Sequence, residues 1–276
     1  MTGSAEILGL LDTLQAIAWQ AARVIKGHYK RSPEIRYKGP SDPVTRADLE
    51  ANTLICEQLQ RAFPGVPIVA EESAAETYAG RTDAARVFFV DPLDGTREFI
   101  AENDEFVVMI GVVDDGRASA GAIVAPAFDR VWVGAVGLGS FELTSGTTRT
   151  KLQPGRAATL SESIVVASRS HLGARAEHAL GRFGARRVDR VGSAGLKGVR
   201  VASGEADVYV ASPPAGSLWD ACAIDAIVTA AGGRFSDLDG NALDYRATDL
   251  TNLRGLVASN GTVHDAVIEQ WQRLQM

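Results

Sequence analysis

The run Val87-Phe88-Phe89-Val90 is β-branched or aromatic throughout, and it ends on Asp91-Pro92-Leu93-Asp94-Gly95-Thr96-Arg97. Such a run predicts a buried strand, and the Pro and Asp-Gly after it predict the strand's terminating turn. Two carboxylates then stand three positions apart at the tip of a buried strand. An unpaired buried charge is very costly, so a fold that keeps both acids there has reason to bring a cation to them. Ordinary turn chemistry offers a second account, with Asp91 closing an Asx-turn and Asp94 capping a short helix that opens at Thr96. The remaining acids of the chain bear on the choice.

Helical spacing of Ile7, Leu8, Leu11, Leu14, Ile17, Ala18, Ala21, Val24 and Ile25 predicts an amphipathic helix over 5–30. The prolines and glycine of 32–43 predict a loop, and a second helix is expected from near Thr45 to Phe63, where Pro64-Gly65-Val66-Pro67 stops it. Ile68-Val69-Ala70 reads as a short strand delivering Glu71-Glu72-Ser73. Apolar stretches at 106–113, 118–125 and 130–136, joined by short turns, predict an antiparallel meander, and 144–154 predicts an edge hairpin running into a linker.

From Ser163 the rhythm changes to strand 164–167, helix 174–183, strand 185–191, helix 194–203 and strand 207–210. A helix opening at Asp220 and running through Ala231 follows, then strands near Phe235 and at 256–258 and a helix from Val263. Alternation of this kind argues for an α/β half. The expected organisation is an α+β unit over 1–155 with an antiparallel sheet, an α/β unit over 156–276 with a mixed, mostly parallel sheet, and a site between them.

The 276 residues suffice for a substantial core, 46% are apolar, and no window nears the roughly 18 apolar residues of a membrane span. With no basic signal-like start and only Cys56 and Cys222, the chain is expected in the cytoplasm. A net charge of −6 gives no footprint for a nucleic-acid polymer, so an anionic substrate needs local cations. No membrane partner is expected, and a homodimer is left open.

Carboxylates recur at predicted element edges: Asp42 and Asp48 in Asp42-Pro43-Val44-Thr45-Arg46-Ala47-Asp48, the Glu71-Glu72 pair, and Asp220 after Trp219. Each has a local explanation, such as a capping box for Thr45 and Asp48 or an N-cap for Asp220. Together they match what oxygen-preferring divalent cations require, several carboxylates plus a main-chain carbonyl at a preformed turn, and Leu93 is placed to offer that carbonyl. None of the four histidines has zinc-site spacing, so magnesium is the expected ion. The acids of the Asp91 turn are spaced one residue too far for the Asp-x-Asp-x-Thr of haloacid-dehalogenase-type phosphatases. Gly192-Ser193-Ala194-Gly195-Leu196-Lys197-Gly198 lacks a P-loop ending and is read either as a tight strand-to-helix turn or as an anion site at a helix N-terminus.

These residues resemble the inositol monophosphatase superfamily, whose motifs are the Asp-Pro-x-Asp-Gly-Thr turn, an upstream Asp-x-Val-Thr-x-x-Asp, a Glu-Glu pair and a downstream Trp-Asp. All four occur here in family order, between about residue 38 and residue 230. Asp91 to Ile100, Ser168-Arg169-Ser170-His171 and the Gly192 to Lys197 turn are similar to the CysQ branch, the 3'(2'),5'-bisphosphate nucleotidases. Position 42 is Asp where some bacterial members have Ser, which bears on substrate choice alone.

The resemblance implies a layered αβαβα sandwich and lithium inhibition. It implies metal binding by Glu71, Asp91, the Leu93 carbonyl, Asp94 and Asp220, with Asp48 and Thr96 handling the attacking water and Glu72 nearby. Two magnesium ions are expected, with a third left open. The substrate-binding set comprises Glu71, Asp94, Gly95, Thr96, Arg97, Ser168, Arg169, Ser193, Lys197 and Asp220, in which Arg97, Arg169 and Lys197 supply a cationic cradle. Trp219 is expected to pack in the core. The reading is a magnesium-dependent phosphatase acting on the 3'-phosphate of adenosine 3',5'-bisphosphate (PAP) or of its phosphosulfate counterpart (PAPS), in sulfate assimilation. Two alternatives stand beside it: an inositol monophosphatase or fructose 1,6-bisphosphatase of the same chemistry, and a metal-dependent phosphate-ligand sensor without turnover.

Overall fold

The apolar residues of helix α1 (Thr2–His28) recur every three or four positions, so Leu11, Leu14, Ala18, Ala21 and Ile25 form one buried stripe. In this computed structural model, which describes residues 2–31, 34–39, 42–143, 148–170 and 173–275, α1 leads into an antiparallel pair, β1 (Ile35–Gly39) and β2 (Asp42–Thr45). The loop expected over 32–43 is therefore a hairpin, apart from residues 32, 33, 40 and 41, which lie outside the described residues. Strand β1 buries almost nothing, so it lacks the apolar alternation by which a strand announces itself. Helix α2 (Arg46–Ala62) follows and buries Ala47, Ala51, Ile55 and Leu59.

A seven-stranded sheet comes next: β3 (Ile68–Ala70), β4 (Arg86–Asp94), β5 (Val107–Asp114), β6 (Arg117–Ala125), β7 (Arg130–Ala135), β8 (Gly139–Leu143) and β9 (Arg149–Lys151). Strand β3 runs parallel to β4 and every later pairing is antiparallel, which is the expected meander. The β8–β9 pair is the expected edge hairpin, with 144–147 outside the described residues. A five-residue helix, α3 (Thr96–Ile100), follows β4 directly.

The second sheet takes β10 (Ile164–Ser168), β11 (Arg187–Val191), β12 (Val208–Ala211), β13 (Arg234–Ser236) and β14 (Leu256–Ser259) in the order β11-β10-β12-β14-β13. It is mixed, as expected, with its parallel pairings confined to β11-β10-β12 and the other two antiparallel. Helices α4 (Ala174–Gly181), α5 (Ala194–Ala202), α6 (Leu218–Ala231) and α7 (His264–Gln275) complete the chain. Helix α6 begins at Leu218, two residues before the expected start, because Ser217 rather than Asp220 is its N-cap.

Strand alternation sorts these elements into layers. Val108, Ile110 and Val112 of β5 join the core under α1 and α2, while Val107 and Met109 join the one under α5 and α6. Val166 and Tyr209 of the second sheet meet that same α5–α6 layer, whereas Val165, Val208 and Val210 face α4 and α7. The result is helix, sheet, helix, sheet, helix. No helix among the described residues is long and apolar enough to cross a membrane.

The middle layer lies close to the seven-stranded sheet for a reason written in three glycines. Gly111, Gly121 and Gly134 are direct neighbours across β5, β6 and β7. A Cβ on Gly111 would stand 2.7 Å from the Ala223 nitrogen, and one on Gly121 would stand 2.9 Å from the Ala223 Cα. Helix α6 thus rests on bare backbone, presenting Cys222 and Ala223 to it, and this contact sets the depth of the helix that begins just before Asp220.

Candidate active site

Strand β4 does not stop at Asp91. Its pairing with β5 runs to Asp91 opposite Met109, skips Pro92 and Leu93, and resumes at Asp94 opposite Val107. Pro92 has no N–H for the ladder, so the strand bulges there and carries both acids into one corner. The expected turn is thus a bulge inside the strand end. Asp91 Oδ1 accepts from the Leu93 N–H at 3.0 Å, so the Asx-turn account holds as well. Gly95 follows at φ +94°, and a Cβ there would stand 2.8 Å from the Glu105 carbonyl oxygen. Both facts favour glycine.

Two helix N-termini complete the corner. Asp94 Oδ2 accepts from the Gly195 N–H at 2.7 Å and from the Ser193 hydroxyl, so the start of α5 grips it. Asp220, in the first turn of α6, accepts from the Ser217 N–H at 2.6 Å in a capping box. Carboxylate oxygens of Asp91, Asp94 and Asp220 lie within 4.8 Å of one another. Burial, then repulsion from Glu71, Asp94 and Asp220, raises the Asp91 carboxyl well above its ordinary range. Burial and repulsion from Glu71 and Asp94 likewise push Asp220 up to about 8. Three oxygens so close and so poorly solvated fit a site for hard divalent cations.

Glu71 and Glu72 reach the same corner from the end of β3, and Lys38 on β1 bridges them with its ammonium 2.7 Å from each. Burial acts to lower the Lys38 pKa, but the two carboxylates carry it above its ordinary value. Burial raises both glutamates, Glu71 against the pull of Lys38 and Glu72 with added repulsion from Glu71. Asp48 stands behind the bulge as the third residue of α2. Its Oδ2 accepts from the Thr45 N–H at 2.8 Å and the Thr45 hydroxyl at 2.6 Å, and its Oδ1 lies 2.9 Å from Thr96 Oγ1. Thr96 Oγ1 also lies 3.1 Å from the Leu93 carbonyl oxygen. Burial pushes Asp48 up to about 6, against the lowering effect of these hydrogen bonds.

A cavity of about 520 Å³ opens over this corner, between the carboxyl ends of β4, β10 and β12 and the starts of α5 and α6. Carboxyl ends of strands are where sheets of this kind accept ligands. Glu71, Asp91, Leu93, Asp94 and Asp220 line it, and so do Gly95, Thr96, Arg97, Ser168, Ser193 and Lys197. Asp48 and Glu72 stand behind that lining, reaching it through Thr96 and Lys38.

Two members of the expected cationic cradle do other work. Lys197 is buried and donates to the carbonyls of Gly192, of Ser193 at 2.8 Å and of Val191 at 3.5 Å, so its ammonium braces the turn that holds Asp94. Burial pulls its pKa down to about 8 against the neighbouring carboxylates. Arg169 does not line the cavity; it pairs with Glu105 at 2.7 Å, and His171 lies outside the described residues. Trp219 is partly buried against the core cluster that includes Phe89 and Tyr245, as expected, but it lines the cavity too.

Sequence reading overlooked Lys38 and Glu98, which both line the cavity. Lys38 sits 33 positions from Glu71, so no local spacing links them. Glu98 looks like any acid in the first turn of a helix.

A sequence profile described as the inositol monophosphatase family matches residues 9–276. The 3'(2'),5'-bisphosphate nucleotidase CysQ of Escherichia coli (strain K12) is 33% identical over 238 residues, covering 86% of this chain and 94% of that protein. The human 3'(2'),5'-bisphosphate nucleotidase 1 is 30% identical over 240 residues, covering 74% of each. Among solved structures, the IMPase of Thermotoga maritima superimposes with a TM-score of 0.83 at 24% identity over 97% of this chain and 98% of its own. The inositol monophosphatase from Anabaena (Nostoc) sp. PCC 7120 gives 0.79 at 27% identity, covering 97% of both.

Proposed function

The chain belongs to the inositol monophosphatase family, and we propose that it is a magnesium-dependent phosphatase that removes the 3'-phosphate of adenosine 3',5'-bisphosphate or of its phosphosulfate counterpart. The observation that carries this reading is the convergence of Asp91, Asp94 and Asp220 within 4.8 Å, on a cavity that Thr96 also lines. The nucleotide is favoured by the similarity to the bisphosphate nucleotidases, which runs through most of the chain. It is also favoured by the cavity itself. Besides the acids, its wall includes Tyr209, Ala211, Pro214, Ala215 and Leu256, an apolar surface suited to a nucleoside, and about 520 Å³ lies within the usual range of small-molecule sites.

Glu71, Asp91, the Leu93 carbonyl, Asp94 and Asp220 would hold the two cations, with a third left open; bound there, they supply activation of water and neutralisation of the departing oxygen. The chain's own part begins at Thr96. If its single hydroxyl proton goes to Asp48 Oδ1, the Thr96 oxygen is left as an acceptor, and a water donating to it has its own lone pair directed away from Thr96, toward phosphorus. Asp48, with its proton affinity raised by burial, is the base that takes the proton relayed through Thr96. The corner's rigidity matters because a misplacement of about 1 Å can cost some 10²-fold in rate. Arg97, next to Thr96 on the cavity wall, is the cation proposed for the second phosphate.

Phosphate release is to be measured with and without magnesium on adenosine 3',5'-bisphosphate, an inositol monophosphate and fructose 1,6-bisphosphate. The expected result is magnesium-dependent turnover with the highest kcat/KM on the nucleotide. A higher kcat/KM on the inositol ester would overturn the substrate assignment. Binding of all three without phosphate release would favour the sensor.

A further inference from the structure

Glu98 is buried, with 3% of its surface exposed, yet it lines the cavity. Its Oε1 accepts from the Ser170 hydroxyl at 2.5 Å. A carboxylate has more acceptor sites than that one hydroxyl fills, so Glu98 can accept from a ligand in the cavity as well. We propose that Glu98 reads a hydroxyl group on the alcohol half of the substrate, beside the ester that is cleaved. This inference rests on the phosphatase reading given above.

Three observations place that contact. One turn of chain, Val191 to Gly195, touches both Glu98 and the cation corner: a Cβ on Gly192 would stand 2.4 Å from Glu98 Cγ, while Ser193 and Gly195 hold Asp94. Glu98 therefore stands next to the corner that is to receive the ester. Secondly, Glu98 follows Thr96 by two residues in α3, so the proposed water-orienting hydroxyl and the proposed reading group belong to one short rigid segment. Thirdly, the charge sign selects the ligand group. A carboxylate accepts from a hydroxyl and repels a phosphate. Of the groups that a ribonucleotide 3'-phosphate places beside its ester, the 2'-hydroxyl has that character. The second phosphate is thereby directed away from Glu98.

The test compares kcat/KM for adenosine 3',5'-bisphosphate and its 2'-deoxy analogue in the wild type, Glu98→Gln and Glu98→Ala, with a melting temperature recorded for each. A hydrogen bond to a charged acceptor predicts a wild-type preference for the ribonucleotide of roughly tenfold to a hundredfold. Glu98→Gln, which keeps the shape and an uncharged acceptor, is expected to retain a preference of only a few-fold. Glu98→Ala is expected to bring the ratio to about one by losing rate on the ribonucleotide alone. Equal loss on both esters, or a wild-type ratio near one, overturns the role of Glu98 and leaves the nucleotidase reading intact. No turnover of either ester overturns both. Should the alanine variant fail to fold, the near-isosteric glutamine variant carries the comparison.

Discussion

Asp91 has three carboxylates facing it, and burial strengthens the repulsion from each. An uncharged amide of the same shape removes that repulsion while keeping an oxygen for the Leu93 N–H. Asp91→Asn is therefore expected to fold with a melting temperature at or above the wild type, and to lose about 10²–10³-fold or more in kcat at saturating magnesium, 10²–10³ being the order seen when a key electrostatic group is removed. Turnover near the wild type would end the cation-corner account. The residues that announce themselves in sequence are those that violate a local rule: Asp91 and Asp94 close an apolar strand, where charge is expensive. Lys38, Glu98 and the bracing role of Lys197 obey local rules and acquire meaning only when distant segments meet, as when Lys38 bridges Glu71 and Glu72. For Arg169, the expectation of a cation near the cavity could not anticipate that Glu105 takes it.

Helix α6 shows how an element is positioned by what its partners lack. Its seat is the glycine row of β5, β6 and β7, and at Gly121 the atoms that a Cβ would meet are the Cα and carbonyl oxygen of Ala223, both 2.9 Å away. Backbone cannot rotate aside as a side-chain tip can, so the helix itself must move. Gly121→Ala is expected to cost about 1–3 kcal/mol by overpacking, and to lower kcat by roughly tenfold to a hundredfold as Asp220 shifts with the helix. Gly181→Ala, at a position where an added Cβ meets nothing within 4 Å, should change neither by more than about 0.5 kcal/mol or twofold. Equal behaviour of the two variants in thermal melts and phosphate release would refute the seat. Sequence periodicity located the helices and the meander because they bury one face or both. It missed β1 and β2 because β1 is mostly solvent-facing, and it could not show that glycines 10 and 13 positions apart form one row, since strand register decides that.

The chain as a whole keeps its acids together in the absence of cations at the expense of stability, and pH measures the strain. Asp220 titrates at about 8 in the folded protein and near 3.8 in the unfolded chain, so between those values the folded state binds more protons. This contribution to stability is present below the unfolded value and is lost as pH rises through the folded one. His264 opposes the trend lower down: burial pulls it from 6.5 to about 4, so it favours folding as pH rises across that interval. Lys197, lowered to about 8, starts to lose its proton in the folded state about a unit below that pH while the unfolded chain keeps it, which offsets only part of the loss near pH 8. Asp48, at about 6, has nearly finished titrating below the window that remains. From pH 6.5 to 8, then, the acid corner dominates, and the melting temperature in EDTA is expected to fall by several degrees, at roughly 2–4 °C per kcal/mol for a chain of this size. Magnesium binds the deprotonated corner, so its stabilising effect should grow over the same interval. Asp220→Asn should flatten both slopes, melting higher than the wild type in EDTA at pH 8 and gaining less from magnesium. A wild-type melting temperature in EDTA that is level or rising from pH 6.5 to 8 would show that the three carboxylates do not crowd one another, and the case for cations among them would lose its physical basis.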